Sequence, residues 1–195
     1  MELKTIQIEI PAGKKAEWVN GVLTLVDEQS MDNRPVTERI KSFEDARKEL
    51  GEDNPLVIQY KVIAENEDKE DVFNTGKDII AYLKLRIIAA ALNEGWMPQF
   101  TENENRWHPW FKTLTEREIN DKSKEWKAEH KLWFWGGGSS HGANCGLVCA
   151  SSASARAFSS AALSARLAVK SEKLAIYFGE QFINIWSDYI RPFSK

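Results

Sequence analysis

Three side chains in the last third of the sequence have the types and spacing of a metal or nucleophile site. His141, Cys145 and Cys149 follow one another at intervals of four residues, which on a helix would align an imidazole with two thiols. Zinc binding there needs a fourth ligand, and His108 and His130 are the remaining histidines. A Cys–His nucleophile needs an orienting Asp or Asn motif, and none accompanies these residues. We therefore predict two unligated thiols, with no metal, no cofactor and no catalytic role.

Two further patterns resemble phosphate or acid–base sites and are better explained otherwise. The glycine-rich run at 136–140 lacks the lysine of a P-loop and the spacing of a dinucleotide fingerprint, so we interpret it as the exit of a strand. The pairs Glu102/Glu104 and Glu116/Glu118 could be acid–base couples, but in a chain with 29 acidic residues such pairs are typical of solvated faces. The sequence therefore predicts a protein that is not an enzyme.

Aromatic residues are concentrated in a proline-interrupted stretch, 96–111, which contains Trp107, His108 and Trp110. These rings could stack on sugars, as in a carbohydrate-binding surface. The alternative is an aromatic core beneath short extended pieces of chain. We expect the core, because each of the 8 tryptophans is a large apolar body and most of them should be buried.

The elements that must position these residues begin with an N-terminal β-hairpin. Residues 17–19 and 22–25 flank Asn20-Gly21, the dipeptide that best tolerates the two positive φ angles of a type I′ turn. Before the hairpin, alternating apolar and polar residues at 6–10 predict a half-buried strand. The N-terminus is therefore predicted to be β structure.

Helical periodicity and capping residues predict the rest of the scaffold. The predicted helices are 35–50 with Thr37 as N-cap, 54–64, 78–93 and a last helix that begins after Ser171. The helix at 78–93 is the most apolar and should be central. We also expect an acidic surface loop at 65–77, a charged segment with too few apolar positions for a buried helix at 116–131, and a buried strand at 131–135. The prediction is a single α+β domain, 1–195.

The charge and hydropathy of the chain exclude several classes of protein. With 26 basic and 29 acidic residues the net charge is −3, which argues against a nucleic-acid ligand. Residues 1–10 contain Glu2, Lys4 and Glu9 and no long apolar run, so no signal peptide is expected. The least charged stretch, 136–169, is rich in Ala, Ser and Gly, which is not the composition of a membrane span. We predict a soluble protein without membrane insertion.

One segment differs in composition from the rest of the chain. Of the 30 residues at 136–165, 21 are Gly, Ser or Ala. Lys, Glu, Gln, Met and Trp are absent from 136–166, whereas their frequency elsewhere in the chain predicts about ten of them there. Three ordinary explanations compete: an alanine-rich helix at 150–169, a flexible Gly/Ser linker and a small-residue packing surface. The sequence leaves open whether the segment is strand, loop or helix.

The strand, glycine run and small residues of this segment resemble the variable region of target proteins of diversity-generating retroelements. The whole chain is similar to a group of small phage-associated proteins of gut Bacteroides-type bacteria. The stretches that carry this similarity are 16–25, 36–41, 81–88, 91–96 and 171–186. In such systems an error-prone reverse transcriptase changes adenines of a template, typically in AAC codons. The resulting codons end in C and cannot encode Lys, Glu, Gln, Met or Trp, the residue types missing from 136–166.

The resemblance implies a C-type-lectin-like display scaffold. Residues 1–135, together with a closing strand and helix at 167–195, would hold a variable display segment at 136–166. The segment would bind a protein or a glycan on a target surface, and a homo-oligomer or a phage particle would repeat the chain and raise its avidity. The residues expected to contact the ligand are Ser139, Ser140, His141, Asn144, Cys149, Ser151, Ser152, Ser154, Arg156, Phe158 and Ser160.

The resemblance also implies where the protein acts. It would be made in the bacterial cytoplasm from a phage or prophage gene and be carried on the virion. The competing hypothesis is a structural or regulatory phage protein. In that case the Ala/Ser-rich segment packs between protomers and recognises no variable ligand.

Overall fold

The computed structural model describes part of the chain, and its contacts divide the chain into two compact units, Met1–Pro35 and Val36–Lys195. The described residues are 9–11, 14–19, 22–27, 34–64, 76–99, 104–136, 144–156 and 165–190. They form helices and antiparallel strands, which confirms the predicted α+β class. No helix in these ranges is long and apolar enough to cross a membrane.

The first unit contains the predicted β-hairpin. Strands β1 (Lys14–Val19) and β2 (Val22–Asp27) pair antiparallel, with Val19 opposite Val22, so two residues connect them as Asn-Gly predicts. The connecting residues lie outside the described ranges, as do the Trp18 side chain and most of the strand predicted at 6–10. Ile10 itself is exposed and belongs to no strand.

The second unit is built from helices around a three-stranded sheet. Its described helices are α1 (Val36–Arg39), α2 (Phe43–Leu50), α3 (Pro55–Ala64), α4 (Lys77–Asn93), α5 (Glu116–Asn120), α6 (Lys124–Glu129), α7 (Glu172–Gln181) and α8 (Ile183–Ile190). A short 3-10 helix covers Ala165–Leu167. The sheet has the order β3-β5-β4, with β3 at Asn105–Thr115, β4 at Trp133–Trp135 and β5 at Cys145–Arg156.

Helix α4 is the central helix, as its composition predicts. It packs against α2, α3 and α8, and Leu85, Ile87, Ile88 and Leu92 are completely buried. It ends at Glu94 and Gly95, which both have positive φ angles, 49° and 83°. A helix that is apolar on more than one face is stable only when several neighbours cover it, and this position provides them.

The helix predicted at 35–50 is two helices. Chain direction changes at 40–42 because Ser42 caps α2: its Oγ accepts a hydrogen bond from the Asp45 N–H (3.1 Å), and the Asp45 carboxylate accepts one from the Ser42 N–H (2.9 Å). Thr37, the predicted N-cap, lies inside α1. Gly51, with a φ of 82°, ends α2 as expected.

The last predicted helix is also divided in two. Ser171 caps α7, as predicted, with its Oγ accepting from the Leu174 N–H (3.4 Å). Phe182 leaves the helical conformation (φ −113°, ψ 28°) and separates α7 from α8, although its ring is buried against Phe178. The periodicity continues through the break because both helices face the same core.

Two predictions for the sheet strands are wrong. The short extended pieces expected at 96–111 are replaced, from Asn105, by one 11-residue strand that contains Pro109. Of the buried strand predicted at 131–135, only Trp133–Trp135 forms β4, and only Trp135 is buried. Phe134 is 51% exposed. Strands β3 and β4 are the two edge strands of the sheet. An edge strand tolerates a proline and exposed residues better than a central strand does.

Candidate binding surface on strand β5

The eleven predicted ligand-contact residues divide into those that the structure describes and those that it does not. Described are Asn144, Cys149, Ser151, Ser152, Ser154 and, for its backbone alone, Arg156. Ser139, Ser140, His141, Phe158 and Ser160 lie outside the described residues. The described residues belong to β5 or immediately precede it, so the helix considered at 150–169 is wrong for 150–156.

The register of β5 divides this strand into two halves. Trp110 of β3 pairs with Ser151, and the next residue, Phe111, pairs with Cys149. Ala150 is therefore an extra residue, a β-bulge, between the two pairs. Residues 146–149 on one side of the bulge are all buried, whereas Ala150, Ser151 and Ser154 are exposed.

The buried half of β5 has no room for larger side chains. A Cβ atom on Gly146 would lie 2.7 Å from Leu132 Cδ1 and 3.0 Å from Ile119 Cδ1. Val148, on the same face, packs with Leu114 and Ile119. This half therefore holds the sheet to α5 and α6 and does not vary freely.

Cys149, a predicted contact residue, is buried against helix α7. It is 5% exposed, and a Cβ atom on Gly179 would collide with its Sγ and lie 2.8 Å from Pro109 Cβ. Burial raises the pKa of the Cys149 thiol to about 11, and the Glu180 carboxylate raises it further. The thiol is therefore protonated at neutral pH and does not belong to an exposed surface. Within the described residues no group of three His, Cys, Asp or Glu side chains could hold a metal ion.

Asn144 has a structural contact at the start of β5. Its Nδ2 donates a hydrogen bond to Glu116 Oε1 over 2.8 Å, which joins the strand to the first turn of α5. Ser152, in the second half of β5, is half-buried, and its Oγ lies 3.4 Å from Glu172 Oε1. Asn144 and Ser152, both predicted to contact a ligand, therefore make side-chain hydrogen bonds within the protein.

Trp110 is an exposed aromatic side chain that we predicted to be in the core. It is 58% exposed, and it shares a sheet face with Ser151, the residue directly opposite. Phe111, the next residue, points to the other face, where its ring lies 5.1 Å from the Trp186 ring. The strand alternation could have identified Trp110: a core position at 111 requires that 110 face the other way.

His108 lies two residues from Trp110 and is buried, as a core residue would be. It is 7% exposed, and its Nδ1 has no hydrogen-bond partner among the described residues. Burial lowers the pKa of His108, and the positive charge of Arg106 lowers it further. The imidazole is therefore neutral at pH 7 and does not stack on a ligand. Trp135 and Trp186 are buried, and Trp107 and Trp126 are partly buried against core residues, so four of the seven tryptophans with described side chains pack in the core, as predicted.

The chain that follows residues 136–166 is held at 168–170. The buried Asn93 side chain donates from Nδ2 to the Ala168 carbonyl (2.9 Å) and accepts at Oδ1 from the Lys170 N–H (3.1 Å). Between these bonds, Val169 and Trp107 exchange two backbone hydrogen bonds of 3.0 and 3.2 Å. The predicted closing strand is thus one bridge, reinforced by a side-chain amide.

Comparison of the chain with protein-family models, with curated proteins and with solved structures finds no match. The resemblance described above therefore rests on the residues themselves. The C-type-lectin-like arrangement stays a prediction.

Proposed function

We propose that the chain is a ligand-binding display protein of the diversity-generating retroelement type. The segment at 136–166 would recognise a protein or glycan on a target surface, and the rest of the chain would hold it. The observation that carries the proposal is a coincidence of two independent properties. The segment lacks the five residue types that codons ending in C after adenine mutagenesis cannot encode, and three residues of its described strand, Ala150, Ser151 and Ser154, are exposed.

The second half of β5 supports this role because its backbone is held while its side chains are small and accessible. The strand pairs with β3 through Arg156, and helix α7 packs against both strands. Ala150, Ser151 and Ser154 are exposed, so larger side chains at these positions can extend into solvent. A rigid strand with replaceable side chains is the arrangement that a binding surface of variable specificity requires.

Trp110 supports the proposal as a fixed contact beside variable ones. It lies outside 136–166, so adenine mutagenesis of the segment leaves it unchanged, and its exposed indole offers a large apolar surface next to Ser151. Serine and alanine contribute little binding energy themselves, and aromatic residues dominate most interfaces. Repetition of the chain on a particle would multiply a weak contact.

The coding DNA tests the proposal directly. A nearby near-copy of the segment should differ from the gene at adenines of the copy, and the codons of Ser151, Ser152, Ser154 and Arg156 should end in C. A reverse-transcriptase gene should lie in the same region. Differences spread over G, C and T positions would contradict the proposal and favour the structural or regulatory phage protein.

A further inference from the structure

Strand β5 has an edge that no described strand covers. Strand β4 pairs with Cys145, Gly146 and Leu147 alone, whereas β3 pairs with β5 as far as Arg156. In the described part of the chain, residues 148–156 therefore have a strand neighbour on one side only. The uncovered edge is about nine residues long, or about 30 Å at 3.3 Å per residue.

Strand β4 does not extend before Trp133 because the preceding residues are hydrogen-bonded to helix α6. Lys131 has a positive φ of 47°, and its N–H donates to the Ala128 carbonyl over 3.2 Å. The Leu132 N–H donates to the Lys127 carbonyl over 3.0 Å. The residues that would extend β4 along β5 thus bond back to α6, and among the described residues no strand lies beside this edge of 148–156.

The bridge between Trp107 and Val169 shows which β5 residues direct their backbone groups to this open edge. The Trp107 N–H and C=O both bond to Val169, on the side of β3 away from β5. Trp107 and Ser154 are therefore a non-hydrogen-bonded pair, in which the groups of both residues point outward. By the two-residue alternation, Ser152 does the same, and its partner Pro109, which has no N–H, fits such a pair.

We propose that this open edge, presenting the backbone groups of Ser152, Ser154 and Arg156, binds an extended segment of a partner polypeptide by strand addition. The inference rests on the proposed function and narrows its ligand from protein or glycan to a peptide main chain. Alternating donors and acceptors along a strand are complementary to another strand, whereas a glycan offers no such regular spacing. Charged residues and prolines usually protect an exposed strand edge from pairing with another chain, and residues 148–155 contain neither.

Strand addition fits a segment whose side chains change. Main-chain hydrogen bonds supply affinity that does not depend on the residue type, and alternate side chains supply specificity. A second copy of this chain is a poorer occupant than a partner peptide. Antiparallel pairing of two β5 edges about Ala153 would place the Ala150 bulge of each copy in the same short ladder, and bulges disrupt pairing.

The test compares Ser154→Pro with Ser154→Ala. Proline removes the outward N–H and leaves the β3 ladder intact, whereas alanine removes the hydroxyl and keeps the N–H. The probe is a phage-displayed library of random peptides about twelve residues long, enough to cover the edge. Peptides enriched on the wild-type chain are synthesised and their affinity for the three proteins is measured. Thermal unfolding shows that each variant is folded, and Ser152→Pro replaces Ser154→Pro if it is not.

We expect affinity about tenfold weaker for Ser154→Pro and unchanged for Ser154→Ala, together with slowed amide exchange at Ser152 and Ser154 in the peptide complex. Failure to enrich peptides, or equal affinity for all three proteins, would overturn the inference. A dimer in light scattering that Ser154→Pro dissociates would assign the edge to a second copy and overturn it as well.

The inference and the proposed function fail separately. If glycans on an array bind the chain, and Ser151→Tyr abolishes this binding while Ser154→Pro does not, the display function stands and strand addition is wrong. If the coding DNA has no template copy but peptide binding depends on the Ser154 N–H, the retroelement is wrong and the edge remains a peptide site.

Discussion

Ser151 lies directly opposite Trp110 in the β3–β5 ladder, in the pair next to the register shift at Ala150. A small hydroxyl thus lies beside an indole that is more than half exposed. Because both side chains are exposed, a larger residue at 151 could contact the indole and extend into solvent.

Tyrosine substitutions in β5 should separate exposed positions from packed ones. Ser151→Tyr and Ser154→Tyr should change the free energy of unfolding by no more than about 0.5 kcal/mol, since both side chains are exposed. Ser152→Tyr should cost about 1–3 kcal/mol, because Ser152 is half-buried beside Glu172. Denaturant unfolding measures all three, with Trp186→Ala, about 3–5 kcal/mol, as the core reference. If Ser151→Tyr and Ser154→Tyr lost as much unfolding free energy as Trp186→Ala, these serines would be packed residues and not part of a display surface.

Gly179→Ala should destabilise the contact between α7 and the sheet. The added Cβ would meet Cys149 Sγ and Pro109 Cβ, so we expect a loss of about 1–3 kcal/mol. Cys149→Ala should recover part of the loss in the double variant, because it removes the nearer atom. Gly136→Ala, with no atom within 4 Å of the new Cβ, is the matched control. Additive effects in the double variant would argue against this contact.

His108 should make the protein less stable in acid. Burial lowers its pKa in the folded state, so the unfolded chain binds a proton first as the pH falls below about 6.5. The contribution of the neutral imidazole is present above that pH and is lost as the pH falls toward the lower folded pKa. His108→Phe should flatten the dependence of unfolding free energy on pH as the pH falls below about 6.5, whereas Trp110→Ala should not. An unchanged slope in His108→Phe would refute the assignment.

The two thiols should differ in reactivity. Burial holds the Cys149 pKa near 11, whereas Cys145 is partly exposed, so at pH 8 a thiol reagent should modify Cys145 first. Mass spectrometry of the partly labelled protein identifies the site, and in denaturant both thiols should react. Elemental analysis after zinc supplementation should find no stoichiometric metal. Equal labelling rates in the folded protein would contradict the burial of Cys149.

Ser42→Ala should cost about 1 kcal/mol of unfolding free energy, because the serine and Asp45 form the capping box of α2. Thr37→Ala, inside α1, is the control and should have a smaller effect. Thermal unfolding compares the two. A larger loss of unfolding free energy for Thr37→Ala than for Ser42→Ala would favour the predicted single helix at 35–50 with Thr37 as its N-cap.

Local signals in the sequence predict some elements well. Asn20-Gly21 predicts the pairing of β1 with β2, and the apolar composition of 78–93 identifies the central helix. The sequence does not distinguish Ser42 from Thr37 as the cap, because both have the same capping chemistry and the choice depends on where the chain must turn to pack on α4. Propensity cannot decide that, since it depends on residues distant in sequence.

In the candidate site, too, local sequence predicts one part and contacts between distant residues decide the rest. The unusual composition identifies 136–166, but the order of strands, the bulge at Ala150 and the burial of Cys149 depend on partners in β3 and α7. Composition predicts Trp110 in the core, because large aromatic residues are usually buried there. Trp110 instead faces away from Phe111, because 105–115 is one continuous strand, which a proline in its centre argues against.

The Asn93 amide has a consequence for how this protein can evolve. It bonds to the chain on both sides of Val169, and the backbone of Val169 bonds to Trp107, so the chain re-enters the core at a fixed position and direction. Rigid attachment there limits how far a structural change in the preceding segment can propagate into α7 and α8. Exposed residues before this point, such as Ser151 and Ser154, can therefore be replaced without moving the place where the chain returns to Asn93. The proposed display function would depend on such an anchor, because every variant of the segment would end at the same point of the scaffold.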